Sequence, residues 1–187
     1  VSVTGHNGTV VRWEYSTNGG ASWTSVSNTT TSLSFSNLTN TTQYRAVTKN
    51  GSCNEINSSS TTITVRDLPT ATISGSTTIC AGTTATLTNM ITVSNTYGNT
   101  WSIAYLEGTT SKTTTGTGDG NFTITTSTLT TNTDITLQSI TMTQTASNTN
   151  PVCGPTTLSS TITVNVNVLP TVTLNSVGGP ICQGSST

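Results

Sequence analysis

Short runs along this chain place an apolar residue at every second position, with hydroxyl and amide residues filling the places between. Val11, Trp13 and Tyr15 alternate with Arg12 and Glu14, Thr17-Asn18-Gly19-Gly20 follows, and residues 21–26 run back. That pattern predicts a β-hairpin, because asparagine and glycine accept the positive φ a tight turn demands. Leu33 and Phe35 predict another strand, Leu38 precedes Tyr44 at the entry to the next, and Ile63 with Val65 closes the series. A second series begins with strands at 70–74 and 83–88, then Trp101-Ser102-Ile103-Ala104-Tyr105, a glycine-rich turn at 116–120, and Phe122 with Ile124. Leu129 precedes Ile135 by the same step that separates Leu38 from Tyr44. Ile135 and Leu137 are out of phase with Ile140 and Met142, which predicts a bulge near Ser139. Ile162, Val164, Val166 and Val168 fall on one face of a long last strand. No segment carries a helical period. The expected fold class is all-β, in antiparallel sandwiches of the immunoglobulin-like kind.

The series repeats. Leu68-Pro69-Thr70-Ala71-Thr72 and Ile79-Cys80-Ala81-Gly82 return as Leu169-Pro170-Thr171-Val172-Thr173 and Ile181-Cys182-Gln183-Gly184. Thr62-Ile63-Thr64-Val65 returns as Thr161-Ile162-Thr163-Val164, and Cys53 as Cys153. All these intervals are about 100 residues, a common domain size, so the chain reads as a tandem array. Residues 1–66 are expected to be the C-terminal part of one repeat, 67–167 a complete repeat, and 168–187 the start of the next. Each junction passes from a last strand to a first strand through one proline, Pro69 or Pro170. So short a link, with its fixed φ, predicts a semi-rigid rod.

Composition narrows the function classes. Charged residues make up 6% of the chain, and the formal net charge is −1. That balance offers nothing to attract nucleic acid or an anionic membrane surface. Polarity comes from 50 threonines, 25 serines and 18 asparagines. Threonine is β-branched, so this richness favours strands with a hydroxylated outer face over disorder. No stretch approaches the length of a membrane span, and no membrane insertion by this segment is expected.

The chemistry of catalysis is sparse. Six acids are scattered along the chain with no two in one short motif, and His6 is its one histidine, read as a loop residue beside Gly5 and Gly8. Asp119 among glycines reads as a turn, not a calcium loop. No enzyme activity, cofactor or metal is expected. Trp13 and Trp101 are assigned to cores; Trp23, after the hairpin turn, is the candidate ligand-stacking aromatic. Within the complete repeat, Cys80 and Cys153 are the pair available for a structural disulfide, with metal ligation or free thiols as the alternatives. On that frame Cys53 and Cys182 each form a half-disulfide with a residue outside the sequence, and the compartment is oxidising.

The run Val11-Arg12-Trp13-Glu14-Tyr15-Ser16-Thr17-Asn18-Gly19-Gly20-Ala21-Ser22-Trp23, with Tyr44-Arg45-Ala46-Val47, Gly51-Ser52-Cys53 and the two Ile-Cys-x-Gly segments, resembles known repeats. These are the Ig-like or PKD-like repeats of giant surface adhesins of the Bacteroidota, including SprB-type gliding-motility adhesins exported by type IX secretion. The resemblance implies a secreted, cell-surface location and a bridge between the two cysteines of each unit. It implies a stalk whose partners are neighbouring repeats of the same chain, with surface polysaccharide or other cell-surface proteins beyond them. Two rival readings are a carbohydrate-binding module of a secreted multidomain enzyme and a laterally assembling fibre or surface-layer protein.

Overall fold

In the computed structural model, which describes residues 1–175 and Gln183, every regular element is a strand. By its internal contacts the chain divides into two compact units, Val1–Asp67 and Leu68–Thr187.

Unit 1 is built on the expected hairpin. β1 (Thr9–Ser16) pairs with β2 (Thr24–Val26) and, on its other side, with β3 (Thr42–Lys49). The turn between β1 and β2 holds Gly19 at φ 69° and Gly20 at φ 89°. The Ser16 hydroxyl accepts the Gly20 N–H at 2.9 Å, which closes it. β4 (Ile56–Asn57) and β5 (Thr61–Ile63) share the far side of β3. Alternation sends Trp13, Tyr44 and Ala46 to one face, where they form a core with Val10 and Leu33. A minimal second layer covers part of that face. Val1 and Leu33 exchange two hydrogen bonds of 2.9 Å, and Ser2 bridges Ser32. The strand expected through Leu33 and Phe35 shrinks to that bridge, and Phe35 is 39% exposed.

Unit 2 is a two-sheet sandwich. β6 (Thr70–Ile73), β8 (Thr86–Ser94) and β11 (Gly120–Thr125) form the smaller sheet, in the order β11-β8-β6. β7 (Thr77–Cys80), β9 (Thr100–Glu107), β10 (Thr110–Thr117), β12 (Thr133–Thr143) and β14 (Thr161–Asn167) form the larger, in the order β10-β9-β12-β14-β7. β13 (Thr156–Thr157) lies beside β12, ahead of β14. β6 and β7 are thus one stretch of chain that changes sheets between Ile73 and Thr77. Every pairing is antiparallel except β7 with β14. The bulge expected near Ser139 is present, as a register shift between Leu137 and Ser139. Inward side chains of both sheets meet: Leu87 and Ile91 from β8 face Ile103, Ile135, Leu137, Ile140 and Val164, all at 0% exposure. Burying each contributes roughly 1.5–3 kcal/mol.

Both tryptophans assigned to cores are there, each 2% exposed. Their indole N–H groups donate to equivalent places, Trp13 to the Thr30 carbonyl and Trp101 to that of Gly118, both 2.9 Å and 17 residues onward. The two units therefore share one plan around a buried tryptophan.

Candidate functional site

The outer face of the unit 1 sheet gathers four charged groups and one aromatic. Arg12 and Glu14 point away from the Trp13 side of β1, and Arg45 lies directly opposite Glu14 on β3. Glu14 accepts from Arg12 Nε at 2.9 Å and from Arg45 Nη2 at 2.6 Å. Arg12 Nη1 reaches Glu55 Oε2 at 2.5 Å. The Arg45 guanidinium lies over the Trp23 ring, 4.0 Å from its centroid, and the Trp23 indole N–H donates to the Gly20 carbonyl at 3.0 Å. Trp23 is thus half-buried, with one ring face occupied by a cation. The sequence hid this because Trp23 and Arg45 are far apart along the chain; the opposed charges of β1 and β3 were its one signal.

Unit 2 has a smaller counterpart. Lys112 Nζ lies 2.9 Å from Glu107 Oε1, and the Ser127 hydroxyl and N–H both donate to the Glu107 carboxylate. At the turn after β10, Asp119 Oδ1 accepts the Thr96 N–H at 2.8 Å and its hydroxyl at 2.6 Å. Asp119 serves as a turn clasp, as expected.

These carboxylates are tuned for ionisation. Burial works against each charge, yet the donors outweigh it and lower the pKa below its ordinary value. The donors are Arg45 and Arg12 at Glu14, Ser127 and Lys112 at Glu107, and Thr96 at Asp119. A carboxylate with a depressed folded-state pKa adds stability above its unfolded pKa and loses it as pH falls through the folded value. Urea midpoints are therefore expected to hold steady down to about pH 5 and to fall below about pH 4. A midpoint that rises on acidification would contradict the geometry.

His6 lines a 540 Å³ recess with Lys49 and Cys53, its Nδ1 buried without a hydrogen-bond partner. Among the described residues no three His, Cys, Asp or Glu side chains converge on a common point. Among the described residues no helix is long and apolar enough to cross a membrane.

The cysteines overturn one expectation. Cys53, Cys80 and Cys153 are all free thiols, and Cys182 lies outside the described residues. Cys80 ends β7 opposite Asn167, while Cys153 stands before β13, whose Thr156 pairs with Ile140. From Thr156 to Asn167 the chain runs one way along β12 and then β7, so about 30 Å of strand separates the two cysteines. A disulfide needs Cα atoms within roughly 7 Å. The Cys80–Cys153 bridge is therefore not made within the unit: its cysteines stand at opposite ends. Mild oxidation followed by non-reducing peptide mapping is expected to yield no Cys80–Cys153 peptide; finding one would refute the register of β7 on β14.

With the geometry in place, comparison with known proteins adds the following. The family described as a domain of unknown function, DUF8696, matches residues 1–67, which is unit 1. A solved structure of fibronectin(III)-like modules of Clostridium thermocellum CbhA is similar at a TM-score of 0.34 and 14% identity, over 93% of this chain and 88% of that one. No curated protein matches. The chain's own strand pairing makes it all-β, with one sheet and a minimal second layer in unit 1 and an Ig-like two-sheet sandwich in unit 2.

Proposed function

We propose that this chain is a structural segment of a large exported surface protein, a stretch of stalk in which β-sandwich modules follow one another to span distance. The observation that carries the reading is the tandem repetition of landmarks at intervals of about 100 residues, from Leu68-Pro69 to Leu169-Pro170 and from Ile79-Cys80 to Ile181-Cys182. The site chemistry supports it: the acids of the outer faces are consumed in pairing with Arg12, Arg45 and Lys112. In this reading the protein is a non-enzymatic adhesin at the cell surface, of the kind its repeats resemble, and the hydroxyl-rich faces meet surface polysaccharide or other surface proteins.

Small-angle scattering on native fragments of increasing repeat number tests the stalk. A maximum dimension that grows in proportion to the number of repeats is the expected result. A dimension that grows only as the cube root of mass would overturn it.

A further inference from the structure

We propose that two copies of this chain pair edge to edge through β10, antiparallel about a two-fold axis at Thr114, so that their larger sheets become one. The contact goes beyond the stalk reading and does not rest on it: tandem repeats add length, and this seam joins neighbours side by side.

β10 differs from the other strands at the sheet edges of unit 2. β6 and β7 have four residues each, and β11 is interrupted by a register shift between Phe122 and Ile124. Short and bulged edges of that kind resist pairing with another chain. β10 runs for eight residues and pairs with β9 throughout without a shift, from Thr110–Glu107 to Thr117–Thr100. It contains no proline. The hairpin from β9 turns through Gly108 and Thr109 alone, with Gly108 at φ 60°, so Glu107 and Thr110 close it as a hydrogen-bonded pair. By alternation from that pair, Thr110, Lys112, Thr114 and Gly116 bond to β9. The N–H and C=O groups of Ser111, Thr113, Thr115 and Thr117 point the other way, and none has a hydrogen-bond partner among the described residues.

A second β10 supplies those partners. With the axis at Thr114, Ser111 lies opposite Thr117 of the second copy and Thr113 opposite its Thr115, and each such pair exchanges main-chain hydrogen bonds. Hydroxyl side chains face each other on the exposed side of the seam, a favourable cross-strand pairing. On the other side Thr114 meets Thr114, and Lys112 meets Gly116 of the second copy, which has no side chain to crowd it. Charge allows the approach. Lys112 is the one charged residue of β10, and Glu107 Oε1 at 2.9 Å and Ser127 Oγ at 3.0 Å already hold it. The two lysines would stand about 14 Å apart, beyond the roughly 8 Å at which physiological salt screens exposed charges. Each copy offers the same surface, so the seam closes at two copies.

Sedimentation equilibrium and amide exchange of the full chain in reducing buffer test the seam. A monomer–dimer equilibrium is expected, and exchange at Ser111, Thr113, Thr115 and Thr117 should slow by about tenfold where the dimer predominates. Thr113→Pro removes one outward N–H from each copy, at an edge position where proline is tolerated. It is expected to weaken pairing by about tenfold or more while the urea midpoint stays near that of the parent. Should proline lower the midpoint, a pair of charge variants that leave the main chain untouched decides. Thr113→Lys and Thr115→Glu each set like charges diagonally across the axis and are expected to weaken pairing about two- to fivefold. Mixed, they bring opposite charges face to face, and pairing should recover. A chain that stays monomeric to about 1 mM overturns the proposal. So does pairing that survives Thr113→Pro at full strength, protection that falls on other amides, or a mixture no tighter than its parts.

Discussion

Replacing Trp101 with alanine is expected to destabilise unit 2 severely. The indole is 2% exposed and donates to the Gly118 carbonyl. Phe122 meets it edge-on, with ring centroids 4.6 Å apart and planes at 79°. Gly116 exists to make room for it, since a Cβ there would stand 2.3 Å from Trp101 Cζ2. Truncating a buried tryptophan costs roughly 3–5 kcal/mol, against a total near 5–15 kcal/mol for a domain. Amide exchange across β9 and β12 is expected to quicken by roughly 100- to 5,000-fold. Exchange within a few-fold of the parent would show that the tryptophan is not the keystone of this core.

Gly8→Ala is expected to cripple unit 1 for a different reason. Gly8 holds φ 90°, and a Cβ there would lie 2.3 Å from the Lys49 carbonyl oxygen and 2.7 Å from Asn50 Cα. The obstacle is main chain, so it cannot rotate aside. Relief requires parting β1 from β3 at the Thr9–Lys49 pair. Strain and overpacking together are expected to cost about 2–5 kcal/mol. Gly19→Ala is the control: its φ is 69°, but nothing lies within 4 Å of the added Cβ. Only the conformational term, about 1–2 kcal/mol, applies there. In urea titrations followed by tryptophan emission, Gly8→Ala should fall well below Gly19→Ala. Equal midpoints would mean that β1 and β3 do not close on Gly8.

What could be read beforehand was whatever alternation and turn chemistry encode locally. The β1–β2 hairpin, the bulge at Leu137–Ser139 and the two core tryptophans each follow from a few neighbouring residues. β10 escaped because Thr110–Thr117 is Thr-Ser-Lys-Thr-Thr-Thr-Gly-Thr, an edge strand whose sequence has no apolar alternation to betray it. Its glycine was read as part of a turn, whereas Gly116 is the notch for Trp101. The Arg45–Trp23 stack and the separation of Cys80 from Cys153 are long-range facts set by register. Spacing along the chain says how many residues lie between two cysteines, not which end of a sheet each will occupy.

The parallel seam of β7 on β14 has a mechanical consequence. The chain enters unit 2 ahead of β7 and leaves it after β14, and the two strands run side by side in the same direction through four registered pairs, from Thr77–Val164 to Cys80–Asn167. A pull on the two ends would draw these neighbours past each other along their length, loading their hydrogen bonds together in shear. Antiparallel terminal strands would instead peel apart one bond at a time. Once β6 has been drawn off β8, such a seam resists as a unit, and its strength would depend on how quickly the load is applied.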